Sequence, residues 1–307
     1  MAMHRPQPLA VIALFALLAV ACTGTGGPTG SPGPTGSPGQ SATPGASATP
    51  GASTTPAPSP SPVGNADVAV IRIEQTPGML PPWESMRWYP YVALYGDGRL
   101  IVQGPQMDIY PGPALPNLQV THFSQHAVEQ ALAWAAEAGL HGEDRRLGTP
   151  IMDAGALVFT IVSPQGTHHT SITGDDGNDP QITAAREFQD VMTSLATWLP
   201  EDVASESAPF QFDRLRVISF PADPQSLPDP AFATTVDWPL DADLASLGVS
   251  WSEPAQYRCF ELSGDDLATA LPVFAAANEL TLYESADVTY QLYLHPLLPD
   301  DEACPGF

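Results

Sequence analysis

The densest group of side chains able to recognise a ligand lies in one short stretch. Pro81-Pro82-Trp83-Glu84-Ser85-Met86-Arg87-Trp88-Tyr89-Pro90-Tyr91 packs four aromatics among prolines. Residues 104–116 add Gln106, Asp108 and Tyr110 just across a hairpin from it. Aromatic faces beside amide and carboxylate groups suit two kinds of ligand: sugar rings stacked on the π-faces, or a Pro-rich peptide gripped between them. Trp83, Trp88, Tyr89 and Tyr110 are therefore the candidate binding residues. The structural alternative is that irregular loops use these rings to close one end of a core.

Other reactive groupings are sparse. The chain contains no His-Glu-x-x-His, Cys-x-x-Cys or Gly-x-Ser-x-Gly sequence. All ten basic residues are Arg, and Lys is absent. That excludes a Walker A lysine, a pyridoxal Schiff base and a Ser–Lys nucleophile pair. No metal site and no cofactor is expected. His168 and His169 are neighbours on an expected strand, so they point to opposite faces and cannot chelate together. His122 and His126 have metal-binding spacing, but His122 lies before the expected helix cap at Ser124. Gly174-Asp-Asp-Gly-Asn-Asp179 lacks the register of a calcium loop and reads as an acidic turn at a helix N-terminus. Asp300-Asp301-Glu302 reads as a solvated acidic loop. No catalytic residue is assigned, although a dispersed Ser/His/Asp site would leave no trace in one sequence.

The elements that must position these groups alternate between strand and helix. Residues 68–74 read as a strand. Two β-rich runs flank Gly96-Asp97-Gly98, a hairpin turn. Ser124 opens a helix that continues to Leu140, with Val128, Leu132 and Ala135 at helical spacing. A second hairpin turns at Pro164-Gln165-Gly166. Residues 181–199 read as a helix with Phe188, Val191, Met192, Leu195 and Trp198 on one face. Beyond it come a strand at 214–220, a strand at 257–262, a helix from Ser263 with Asp266 as a capping-box variant, and a last hairpin. The helices at Ser124 and Ser263 share a spacing of apolar residues. Their two units are either copies of one design or unrelated helix–hairpin stretches. The fold class is α+β, antiparallel hairpins with helices on one face.

The segment before Asp67 is different in kind. It holds no acid and one Arg, so residues 65–307 carry nine Arg against all 34 acids, a net of −25. Such a domain is a poor nucleic-acid binder. Residues 9–20 are apolar, too short for a permanent span, and follow a basic start, as in an export signal. Leu18-Ala19-Val20-Ala21-Cys22 resembles the bacterial lipobox, in which the Cys receives two acyl chains and becomes the mature N-terminus. Two chains hold a protein stably on a membrane, whereas one does not. Of the 42 residues from 23 to 64, all but Gln40 and Val63 are Gly, Pro, Ser, Thr or Ala. Such a segment cannot form a core and reads as a tether, reaching about 130 Å if stretched as polyproline II. Five Gly at every third position, from Gly27 to Gly39, are too few for a collagen reading. The expected organisation is a signal over 1–21, a tether over 22–64, and α+β units over 65–202 and 203–307. With Cys22 lipidated, Cys259 and Cys304 remain as a pair in an exported domain, and a disulfide is expected.

The globular part resembles a group of uncharacterised bacterial surface lipoproteins. The resemblance rests on Leu94-Tyr-Gly-Asp-Gly-Arg-Leu-Ile-Val, on Tyr110-Pro-Gly-Pro-Ala-Leu-Pro-Asn-Leu, and on Pro296-Leu-Leu-Pro-Asp-Asp-Glu. It implies an extracytoplasmic, lipid-anchored location and carries no activity. Two function classes follow. One is a non-enzymatic lipoprotein on the membrane whose partner is an envelope glycan or another protein. The other is an extracytoplasmic hydrolase with an unrecognised site.

Overall fold

The computed structural model describes residues 66–80, 85, 87–106, 108–174, 177–250 and 256–305. Cys22, Trp83 and the tether lie outside them. The described residues form one eight-stranded and one six-stranded sheet, with helices on a single face of each.

The first sheet is built from β1 (Ala69–Thr76), β2 (Val92–Tyr95), β3 (Arg99–Gln103), β4 (Leu118–Phe123), β5 (Arg145–Leu147), β6 (Ala156–Ser163), β7 (Gly166–Ile172) and β8 (Val203–Pro209). Their order is β5-β7-β6-β1-β2-β3-β4-β8, antiparallel except where β5 runs beside β7. The hairpin turn between β2 and β3 needs glycine at its end. Gly98 has φ +91, and a Cβ there would meet the Phe123 carbonyl oxygen at 2.2 Å. The period-2 alternation of the strands makes two apolar faces. On one, Ile71, Ile73, Val92, Leu94, Phe159 and Ile161 are covered by α1 (Gln125–Glu137) and α2 (Pro180–Thr193). On the other lie Ala93, Tyr95, Ile101 and Leu118. Each buried aliphatic side chain contributes roughly 1.5–3 kcal/mol.

Both helix starts follow from their sequences. The Ser124 hydroxyl accepts from the Ala127 N–H, and the Asp179 carboxylate accepts from the Gln181 N–H at 2.8 Å. The expected helix over 181–199 is broken. Ser194 ends α2 by bonding back to the Asp190 carbonyl at 2.6 Å, and a short α3 (Leu195–Trp198) follows. The break takes Trp198 off the apolar face, so it is exposed rather than core.

The second sheet holds β9 (Arg214–Pro221), β10 (Thr234–Asp237), β11 (Val249–Ser250), β12 (Arg258–Ser263), β13 (Thr281–Ser285) and β14 (Val288–Pro296), in the order β10-β13-β14-β9-β12-β11. Leu215, Val217, Leu262, Leu292 and Leu294 face α4 (Gly264–Ala276). Ser263 stands at the N-cap of α4 but its side chain makes no capping bond, contrary to the expected capping-box variant; Asp265 and Asp266 supply first-turn charge instead. The first sheet takes its last strand from Val203–Pro209, so the boundary between the two sheets falls after Pro209 rather than at 202.

The chain after β14 connects the helix-free faces. Leu297 keeps a bond to the Arg214 carbonyl at 3.0 Å, and Leu298 packs with Tyr95, Ile101 and Leu118 of the first sheet. The tail then returns to the second sheet, where Cys304 and Cys259 have their sulfurs 2.04 Å apart.

Candidate functional site

The aromatic loop and the helix-free face of the second sheet meet at a cleft with two lobes. The inner lobe has a volume of about 240 Å³. Arg87, Tyr89, Gln103 and Gln106 form one wall, and Leu292, Tyr293 and Leu294 of β14 form the other, with Glu279 at one end. The outer lobe, about 390 Å³, shares Arg87, Tyr89 and Gln103 and adds Gln75, Trp88 and Tyr91. Trp88 is 46% exposed and Tyr91 42%. Both rings therefore keep much of their surface in water instead of closing the core.

Arg87 is positioned by a ring. Its guanidinium carbon lies 4.3 Å from the centroid of Tyr293, which continues an aromatic row through Phe220 and Tyr257. Tyr89 is positioned by another, lying flat on His295. The Tyr89 hydroxyl is buried with no hydrogen-bond partner among the described residues, and burial pushes its pKa well up. Glu279 is fixed at the far end by the Gly112 N–H at 3.1 Å.

Beneath the cleft lies a partly buried ionic hub whose members come from opposite ends of the described chain. Asp301 is largely enclosed rather than solvated, whereas Asp300 and Glu302 keep exposed surface as expected. Arg72 reaches both, at 3.3 Å and 2.9 Å, and the Tyr95 hydroxyl donates to Asp300 at 2.6 Å. The Leu298 N–H donates to Asp301 at 3.0 Å. Arg216 donates to the carbonyls of Glu302 and Ala303 at 2.6 and 2.5 Å. The physical reason is enclosure: the disulfide and Leu298 hold the tail between two sheets, where each carboxylate must be paired. Burial pushes the Asp301 carboxyl up, but the His295 ring, the Arg72 charge and the Leu298 N–H outweigh it and hold it at about 2. Burial, with the charges of Arg216 and Arg72, pushes His295 down. Its Nε2 is 3.8 Å from Asp301, near enough to lower that carboxyl, and because His295 is depressed below 6.5 the ring is neutral at pH 7 and Arg72 balances the Asp301 charge.

Of the predicted binding residues, the structure brings Trp88 and Tyr89 together. Tyr110 lines neither lobe and packs edge-on against Phe232, with centroids 6.0 Å apart. Tyr91, Arg87, Gln75 and Gln103 are not among the residues singled out from the sequence. They lie beside the named aromatics in sequence or on the paired strands, and alternation along β1 and β3 was the available signal. A larger hollow of about 640 Å³ lies beside Leu240 and Gly248, but Asp241, Glu261 and Asp266 line it and it presents no exposed ring.

Among the described residues Ser, His and Asp meet at the start of α1. The Ser124 hydroxyl donates to Asp202 at 2.5 Å, and His126 lies 3.0 Å from the other Asp202 oxygen. The Ser124 and His126 hydrogen bonds hold Asp202 below its usual range. Here the carboxylate sits between the hydroxyl and the imidazole. A nucleophilic Ser needs the imidazole in that place, so this arrangement caps a helix and does not activate Ser124. His122 bonds separately to Ser205 at 3.1 Å. His168 faces His141 and His169 faces Thr160. Among the described residues no group of three or more His, Cys, Asp or Glu is placed to hold a metal ion.

Compared with protein-family models, with curated proteins and with solved structures, the chain matches none. The site's own chemistry therefore carries the functional reading.

Proposed function

We propose that this chain is an extracytoplasmic binding protein, held on the bacterial membrane by lipid on Cys22 and reaching its ligand with the two-lobed cleft. The observation that carries the reading is the pair of exposed rings, Trp88 and Tyr91, at the mouth of a cleft where Arg87 and the side chains of Gln75, Gln103 and Gln106 converge. Rings supply apolar contact at low entropic cost, and amides supply both donors and acceptors. The apolar run before Cys22 and the uncharged tether support the location.

Two measurements test it. Cys22→Ser should move the protein from the membrane fraction to the soluble one; retention in the membrane would end the lipid-anchor reading. For the site, the full-length protein in detergent micelles is titrated with envelope glycan fragments and with peptides, read by Trp fluorescence. A ligand found this way should bind Trp88→Ala roughly tenfold more weakly, with the melting temperature unchanged, because the ring is exposed. Equal binding by the variant, or no binding at all, would end the cleft reading.

A further inference from the structure

The inner lobe contains a stretch of strand paired on one side only. β9 pairs with β14 from Tyr290 to Pro296, but β13 pairs with it only from Val288 to Gln291. Ahead of β13 the chain turns away. Thr281 N–H bonds the Asn278 carbonyl at 3.0 Å, and residues 277–279 bond the loop at Gly112 and Ala114 instead. Among the described residues β13 therefore ends opposite Leu292, and no strand of the sheet lies beside Leu294 on that flank.

The phase of the ladder says which groups face the gap. In an antiparallel pair, alternate residues turn both main-chain groups toward the same neighbour. Ala222 N–H bonds the Thr289 carbonyl and Leu297 N–H bonds the Arg214 carbonyl, so odd-numbered residues of β14 face β9. The main-chain groups of Leu292 and Leu294 then face the other way; the Leu282–Gln291 pairing takes up the Leu292 N–H, which leaves the Leu292 C=O and the Leu294 N–H and C=O toward the inner lobe that both residues line. These groups recur every second residue, at about 6.7 Å. A ligand with donors and acceptors at that period is a polypeptide in extended form. Charge narrows it further. The cleft holds one Arg and one Glu, in a region with a net of −25, so a polyanion is repelled and a neutral or basic segment is favoured.

We infer that the inner lobe takes an extended, uncharged or basic peptide segment of an exported protein, added as a short strand along Leu292 and Leu294. This rests on the cleft being the binding site and names its ligand class. Trp88 and Tyr91 then receive side chains at one end of the segment, and Gln103 and Gln106 bond its outer edge.

The test uses the full-length lipoprotein in detergent micelles. Random decapeptides displayed on phage are selected on it, and the enriched peptides are synthesised and titrated calorimetrically. A scan then replaces each peptide N–H by N-methyl. Expected are enriched neutral or basic decapeptides whose affinity falls at least about tenfold on N-methylation at alternate positions and within about threefold at the positions between. Trp88→Ala and Gln103→Ala should weaken the same peptides. No enrichment, a flat N-methyl profile, or indifference to both substitutions overturns the inference. Chitohexaose is the parallel probe. If it binds, loses affinity with Trp88→Ala, and no decapeptide binds, the peptide inference is wrong and the cleft reading stands. If neither probe binds, both are wrong.

Discussion

Tyr89 and His295 lie face to face, with ring centroids 4.0 Å apart and planes 2° from parallel. Tyr89 belongs to the aromatic loop of the first sheet, and His295 to β14 of the second. The contact therefore sets the cleft wall by reference to the opposite sheet. The far nitrogen of His295 looks toward Asp301, whose carboxylate is held by Arg72 and the Leu298 N–H. Cleft, tail and disulfide are thus consecutive parts of one packed unit. Disturbing the tail should be felt in the cleft.

Asp301→Asn tests the hub at neutral pH. The substitution keeps the volume but leaves the buried Arg72 guanidinium with a neutral neighbour in place of its 2.9 Å partner. Breaking one side of a buried pair typically costs about 3 kcal/mol. For a domain of this size that lowers the melting temperature by roughly 6–12 °C. Calorimetry at pH 7 should show it. A loss under about 1 °C would mean that Asp300 and Glu74 alone satisfy Arg72.

Acid should remove the same contribution. The Asp301 carboxyl titrates at about 2 in the folded protein, against an ordinary 3.8. Its contribution is therefore complete above the ordinary value and is lost as the pH falls toward 2. His295 is also depressed, from 6.5, so proton uptake on unfolding weakens the fold progressively below that value. Denaturant unfolding of the wild type and Asp301→Asn checks the sign. The gap between them should be constant from pH 7 to 5 and narrow by about 1 kcal/mol at pH 3. A gap that stays constant or widens at pH 3 would contradict the low pKa.

Cys304→Ser should cost more than any single contact. The disulfide closes a loop of sequence separation 45, which in the chain-entropy model contributes about 4 kcal/mol. It also anchors the segment that carries Asp300 and Asp301. Intact-mass analysis of the wild type should show both thiols of Cys259 and Cys304 lost without an adduct. Urea unfolding of the variant should show the midpoint shifted down with a slope similar to the wild type. Two free thiols would remove the basis for this expectation.

The legible part of the fold was its local part. Gly96-Asp97-Gly98 gave the β2–β3 hairpin, and Ser124 gave the start of α1, because turn and cap chemistry act within a few residues. The Cys pairing was legible from export and arithmetic. β4 and β8 were not. β8 is an exposed edge strand and β4 lies half-buried beside it, so polar Gln, His, Ser and Glu residues break the apolar alternation that marks a strand. The hub was hidden for a different reason. Asp300-Asp301 is acidic and preceded by Pro, which resembles a solvated loop; only the long-range arrival of Arg72, 229 residues from Asp301, encloses the Asp301 carboxylate. Trp88 and Tyr89 were read as binding residues from composition alone, whereas the other wall of the cleft needed the register of β14.

Tyr89→Phe separates the two roles of the Tyr89 ring. Its hydroxyl is buried with no hydrogen-bond partner among the described residues, so the folded state carries an uncompensated polar group. Removing that oxygen leaves the ring on His295 and the cleft wall in place. We expect the variant to be as stable as the wild type or up to about 1 kcal/mol more stable, since the lost group made no bond in the folded protein. Tyr89→Ala should instead lose the stack and open the wall, costing about 3 kcal/mol by comparison with other buried aromatic truncations. Thermal melts of the two variants give the comparison directly. If Tyr89→Phe were destabilised by more than about 1 kcal/mol, the hydroxyl would have to be bonded, and the wall of the inner lobe would be polar where it is drawn here as aromatic.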